Sequence, residues 1–174
     1  RPELPLAYSI IGIVGTIIFT LILPVSSIVF LWRKQRITSL QLENAKERTA
    51  PYIYTIMAYG FWAYFVHQVL RLPNMILLIV IGSILALAAV TIINHWWKIS
   101  AHLTGIGGLF GGICSFALYY GYMPLTLIII TLIISLILMY ARLYLNAHTP
   151  LQVVAGWLLG VLCTFIPNLI IHHA

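Results

Sequence analysis

Aspartate is absent from the 174 residues, and the only acids are Glu3, Glu43 and Glu47. Sites built on paired aspartates, such as intramembrane aspartyl proteases or aspartate-bridged magnesium clusters, are excluded. Charge of any sign is sparse at 7%, against about 25% in an ordinary soluble domain, which excludes a water-soluble globule. High hydrophobicity with little charge also excludes a disordered chain. Cysteine is rare, with Cys114 and Cys163 both inside apolar runs, so no disulfide framework is expected. The chain has no His-Glu-x-x-His and no His-x3-His box, which argues against intramembrane zinc proteolysis and desaturation. The repeats and broken helices common in transporters are not evident either.

What is present is apolar. Hydrophobic residues make up 62% of the chain and aromatics 13%, with a mean hydropathy of +1.05. A spanning helix takes about 20 apolar residues, so the expected fold class is all-α: a polytopic membrane protein, a bundle of about six transmembrane helices forming one domain over residues 1–174. The predicted spans are 6–32, 52–70, 75–96, 101–120, 125–140 and 150–171. Pro24 is expected to kink the first, because proline removes an intrahelical hydrogen bond. That first run is read as a span and not as a cleaved leader. The opening Arg1-Pro2-Glu3-Leu4-Pro5 leaves room for native residues upstream. Between the first two spans lies a polar loop, 33–51, with Thr38-x-x-Gln41 as a capping box and a short interfacial helix from about Ser39 to Arg48. The last span is expected to start with Thr149 as cap, Pro150 at the first helical position and Gln152 at the third. Gly105, Gly107, Gly108, Gly111 and Gly112 in the fourth span are read as close helix packing.

Six crossings put the polar segments 33–51, 98–102 and 141–149 on one face. Seven of the nine cations lie there: Arg33, Lys34, Arg36, Lys46, Arg48, Lys98 and Arg142, against Arg1 and Arg71 opposite. The positive-inside rule would make that face cytoplasmic. Lys46, Arg48 and Arg142 are better explained by phosphate binding, however, and without them and Lys98 the balance nearly vanishes, so the side stays open. Arg33, Lys34 and Arg36 are read as topology determinants, and Lys98 beside Trp96 and Trp97 as an interfacial anchor. His67 and His95 receive no role, and His172 and His173 are read as a tail. The formal charge of +6 points to an anionic partner, which in a membrane means a lipid headgroup or phosphate ester.

Three patches on that face carry a resemblance. They are Lys46-Glu47-Arg48-Thr49-Ala50-Pro51, then Lys98-Ile99-Ser100-Ala101-His102, then Ala141-Arg142-Leu143-Tyr144-Leu145-Asn146-Ala147-His148-Thr149-Pro150-Leu151-Gln152. Together they resemble the signature of the type 2 phosphatidic acid phosphatase superfamily: Lys-x6-Arg-Pro, then Pro-Ser-Gly-His, then Ser-Arg-x5-His-x3-Asp. Arg142 and His148 keep the Arg-x5-His spacing, Ser100-Ala101-His102 is similar to Ser-Gly-His, and Val153-Val154-Ala155-Gly156-Trp157 is similar to the run that follows. The resemblance covers roughly residues 46–157. Lys46 and Arg48 are separated by one residue, with Pro51 following. Ile99 stands where the signature has proline, Ala141 where it has serine, and Gln152 where it has aspartate.

The residue chemistry stands beside the resemblance. Phosphoryl transfer spreads negative charge over equatorial oxygens, so catalysis is mostly positioning and charge stabilisation. Arginine binds phosphate through a planar fork, and Ser100 with the free N–H groups of a helix start offers an anion site. One histidine can attack phosphorus while a second protonates the leaving oxygen. The resemblance assigns attack to His148 and proton donation to His102, with Arg142, Lys46, Arg48 and Ser100 on the phosphate. It implies a phosphohistidine intermediate, no cofactor and no metal. Gln152 is expected to replace the aspartate as partner of His148. Glu43 or Glu47 reaching in, or a backbone carbonyl near Asn146, are the alternatives.

The expected function is hydrolysis of an amphiphilic lipid phosphate or pyrophosphate. The expected partners are that substrate and membrane lipids, with no nucleic acid, and the expected location is the inner cell membrane. Two rivals remain at this point. One is a lipid-binding or assembly protein that has lost turnover. The other is a membrane protein with haem held by His102 and His148.

Overall fold

The computed structural model describes residues 6–40, 42 and 45–173, with the backbone alone for Ala45, Lys46, His172 and His173. Its elements are α1 (Leu6–Ile17), a π-helical turn (Ile18–Ile22), α2 (Leu23–Arg33), a 3-10 turn (Ala45–Arg48), α3 (Thr49–Gln68), α4 (Asn74–Ile93), α5 (Ala101–Tyr120), α6 (Leu125–Tyr144) and α7 (Pro150–His173). No strand occurs among the described residues. The protein is an all-α, multi-pass membrane protein. Five helical stretches among the described residues are long and apolar enough to cross a bilayer: Leu6–Arg33, α4, α5, α6 and Pro150–Ile171. The predicted second span, α3, has 20 residues but is not among the five. Tyr52, Tyr54, Tyr59, Tyr64, His67 and Gln68 lower its apolarity.

By internal contacts the chain forms two compact units, Arg1–Leu77 and Leu78–Ala174. In the first, α1 and α2 run on through the π-helical turn, which sits directly ahead of Pro24. Proline has no N–H and crowds the carbonyl four residues back. The chain absorbs this by widening one turn, in which the Leu23 N–H reaches the Ile18 carbonyl. The expected kink site is thus a π-turn. Trp62 of α3, 2% exposed, lies against Gly15 of α1 at a spacing no side chain could share. Phe19 stacks on it with ring centroids 5.4 Å apart.

The polar loop departs from expectation. Among the described residues of 39–48 there is a single 3-10 turn, Ala45–Arg48, where a helix is expected, and Pro51 lies inside the first turn of α3. A left-handed residue, Gln35 (φ 53°), closes α2, with Arg36 N–H on the Leu31 carbonyl at 2.9 Å and Gln35 N–H on that of Trp32 at 2.9 Å. The chain then folds back so that Leu31, Ile37 and Leu42 bury one another. Glu47 accepts the Thr38 N–H at 2.8 Å, the role expected of Gln41. Gln41 and Glu43 lie outside the described residues. Burying three aliphatic side chains outweighs the weak helical preference of so short a segment.

The second unit is built on glycine. Where α5 meets α7, a methyl group at Gly107 would strike the Trp157 carbonyl, one at Gly111 the Thr164 side chain and one at Gly160 the Thr104 carbonyl. Backbones this close gain dispersion and polar contacts that lipid does not supply. Thr164 Oγ donates across to the Gly108 carbonyl at 3.0 Å, and Ser115 Oγ to that of Thr164 at 3.1 Å. Pro167 leaves the Cys163 carbonyl without its usual helical donor. That carbonyl faces Gly82 of α4. Trp157 Nε1 donates to Ser135 Oγ at 3.1 Å, joining α6 to α7. Gly121 (φ 64°) ends α5 in the left-handed conformation and turns the chain into α6.

Candidate phosphate site

In the second unit α5 and α7 run parallel: Ser100 lies opposite Gln152 and Gly156, Thr104 opposite Gly160, and Gly111 opposite Thr164. Because α6 returns between them, the start of α5, the end of α6 and the start of α7 share one end of the unit. The second and third sequence patches meet there.

The spacing of Arg142 and His148 has a structural origin. α6 ends in a paired turn in which Ala147 N–H reaches the Arg142 carbonyl at 3.1 Å and Asn146 N–H reaches that of Leu143 at 2.9 Å. Asn146 is left-handed (φ 51°), which asparagine tolerates well. Thr149 then caps α7: its N–H donates to Gln152 Oε1 at 3.0 Å, and the Gln152 N–H approaches Thr149 Oγ at 3.4 Å. Between these two stops only His148 remains, 8% exposed. Its Nδ1 lies 3.0 Å from the main-chain carbonyl of Lys98.

Ser100 is the N-cap of α5, fully buried, with backbone φ −84° and ψ 102°. Its N–H donates to the Gln152 carbonyl at 3.3 Å. Its hydroxyl makes no capping bond and has no hydrogen-bond partner. Arg142 is half-buried, and its Nε is likewise buried without a partner. A buried donor left unpaired costs about 1–3 kcal/mol, so two at one end of a helical unit mark a place that an acceptor would complete. Residues 78–174 contain no acid at all, while Lys98 and Arg142 are cationic. No carboxylate of this unit can neutralise them. His102 stands exposed on the first turn of α5. Ile99, Leu103 and Val153 are buried as well, at 2%, 0% and 1% exposure.

The expected partnership of Gln152 with His148 is not what the structure holds. The Gln152 amide is committed to the helix cap, and the acceptor on His148 Nδ1 is the Lys98 carbonyl. The alternative of a backbone carbonyl near Asn146 gives way in the same manner, since the main-chain carbonyl on Nδ1 is that of Lys98. Glu47 is occupied by Thr38, with both its oxygens near the Thr38 hydroxyl at 3.1 Å. In the first unit Arg48 is buried, and its Nε donates to the Leu42 carbonyl at 2.8 Å, so it ties the folded-back loop together. The Lys46 side chain lies outside the described atoms. Sequence reasoning missed Lys98 as a contributor because a main-chain carbonyl leaves no trace in residue type. Among the described residues no three His, Cys or acid side chains gather as a metal cluster.

No protein-family model matches this chain, and neither a curated protein nor a solved structure does.

Proposed function

We propose that this membrane protein is a lipid phosphatase that hydrolyses an amphiphilic phosphate monoester or pyrophosphate through a phosphohistidine at His148. One observation carries the reading: Ser100 Oγ and Arg142 Nε are buried donors without partners at the end of an acid-free unit where His148 also sits. A phosphate supplies acceptors for both donors and charge for Arg142. At about 4 Å a unit charge pair in a partly wet site is worth about 4 kcal/mol. The free N–H groups of the first turn of α5 add to the same anion site.

The reaction balances with the chain's own groups. His148 Nε2 attacks phosphorus and forms a P–N bond. The P–O bond to the lipid breaks, and its electron pair leaves on oxygen, which takes a proton from His102. Water then attacks the phosphohistidine, gives its proton to His102, and the P–N bond breaks to release inorganic phosphate. The inner cell membrane is the proposed location.

Phosphate release from a panel of phosphatidate-like, phosphatidylglycerophosphate-like and polyprenyl phosphates in detergent tests the proposal, with His148→Ala as control. Release that is the same in His148→Ala would end it. A second reading, a lipid-phosphate binding protein without turnover, is favoured by the cap commitment of Gln152, which leaves no acid at the equivalent of the signature aspartate. Saturable binding of the same lipids with no phosphate released would select it.

A further inference from the structure

The turn ahead of α5 has a construction that two departures from the signature explain jointly. Trp97 N–H bonds to the Ile93 carbonyl at 2.9 Å, and Ile99 N–H bonds back to the Trp97 carbonyl at 2.8 Å, closing a three-residue turn with Lys98 at its apex. On the far side Ser100 N–H is held by the Gln152 carbonyl at 3.3 Å. Lys98 therefore sits between two clamped neighbours, and Ile99 itself is 2% exposed. The Lys98 carbonyl is directed at His148 Nδ1, 3.0 Å away.

We infer that this carbonyl, and not a carboxylate, positions His148, and that the Ile99 N–H is what holds the carbonyl in place. A carbonyl oxygen can only accept, so Nδ1 must carry the proton. The ring is then held in the Nδ1–H form, and in the neutral imidazole Nε2 is the basic nitrogen. Proline at position 99 would have no N–H and could not close the turn. Isoleucine there and glutamine at 152 thus belong together. No acid is needed in this arrangement: the main chain supplies the acceptor, and isoleucine, where the signature has proline, supplies the N–H that closes the turn. The catalytic consequence rests on the phosphatase reading, whereas the tautomer does not.

The test is the nitrogen-15 spectrum of histidine-labelled full-length protein in detergent, with the His148 resonances assigned by their loss in His148→Gln. The expected result is a protonated Nδ1 and an unprotonated Nε2 above the pH at which the ring titrates. An Nε2–H form, or an averaged pair of tautomers, overturns the inference. A second sample carries the α-hydroxy acid of isoleucine at position 99, which deletes the N–H and keeps the side chain. There His148 is expected to become a tautomer mixture, with kcat for phosphate release lower by about tenfold, the loss from one neutral hydrogen bond, and KM unchanged. A single Nδ1–H form persisting in that sample overturns the role of Ile99. No phosphate release from the unmodified protein, together with an intact Nδ1–H signal, would instead fail the phosphatase reading and leave this one standing.

Discussion

Arg142 is the side chain whose surroundings say most about a ligand. Its Nε is buried and unpaired, its unit has no acid, and its carbonyl is used to end α6. Arg142→Gln is expected to lower phosphate release on the order of 100-fold, the scale set by losing one transition-state donor. Arg142→Lys should recover only part, because an ammonium lacks the planar fork. His102 is exposed and one turn or less from Ser100, so its proton matters most where the leaving oxygen is basic. His102→Ala should cost an alkyl phosphate far more than p-nitrophenyl phosphate, and equal losses on both would remove it from acid duty. Gln152 belongs to stability. With its amide in the cap of α7, Gln152→Ala is expected to cost about 1 kcal/mol, read as a lower Tm in detergent, while Gln152→Glu keeps the cap.

Helix pairing in the second unit depends on particular glycines and not on glycine content. At Gly160 an added methyl meets the Thr104 carbonyl, which cannot rotate away, whereas at Gly105 it meets nothing within 4 Å. Gly160→Ala is therefore expected to destabilise by about 1–3 kcal/mol through overpacking. Gly105→Ala should be neutral or stabilising by about 0.5–1 kcal/mol through helix propensity. Thermal unfolding of the two variants side by side checks this, and a Tm loss in Gly105→Ala equal to that in Gly160→Ala would mean the α5–α7 contact is not what the glycines serve. The run of small residues was legible as close packing in the sequence. Which glycine faces α7 was not, because Gly105, Gly107 and Gly108 are near neighbours and only the crossing of the helices assigns their faces.

Across the chain as a whole, α4 to α7 alternate direction, so Lys98 and Asn146 should be labelled from one side of the membrane and Tyr122 from the other. Single cysteines at these positions, with Cys114 and Cys163 changed to serine, test that with an impermeant thiol reagent. Labelling of 98 and 146 from opposite sides would refute the shared end.

Composition determined the medium: with 7% charge and 62% hydrophobic residues, the chain has to satisfy its main chain in helices and turn apolar surface to lipid. Local pattern determined the helix ends where a side chain does the capping, as Thr149, Pro150 and Gln152 do for α7. The spacing of Arg142 and His148 was also visible, because it is a property of one short connection. Contacts between distant segments were decided by tertiary structure alone. The polar loop folded onto Leu31 in place of forming a helix, because buried aliphatic area outweighs the weak helix preference of a short segment. The partner of His148 was decided in the same way. Every residue offers an identical carbonyl, so only the position of Lys98, set 50 residues away by the packing of α5 against α7, could select the one that accepts its proton.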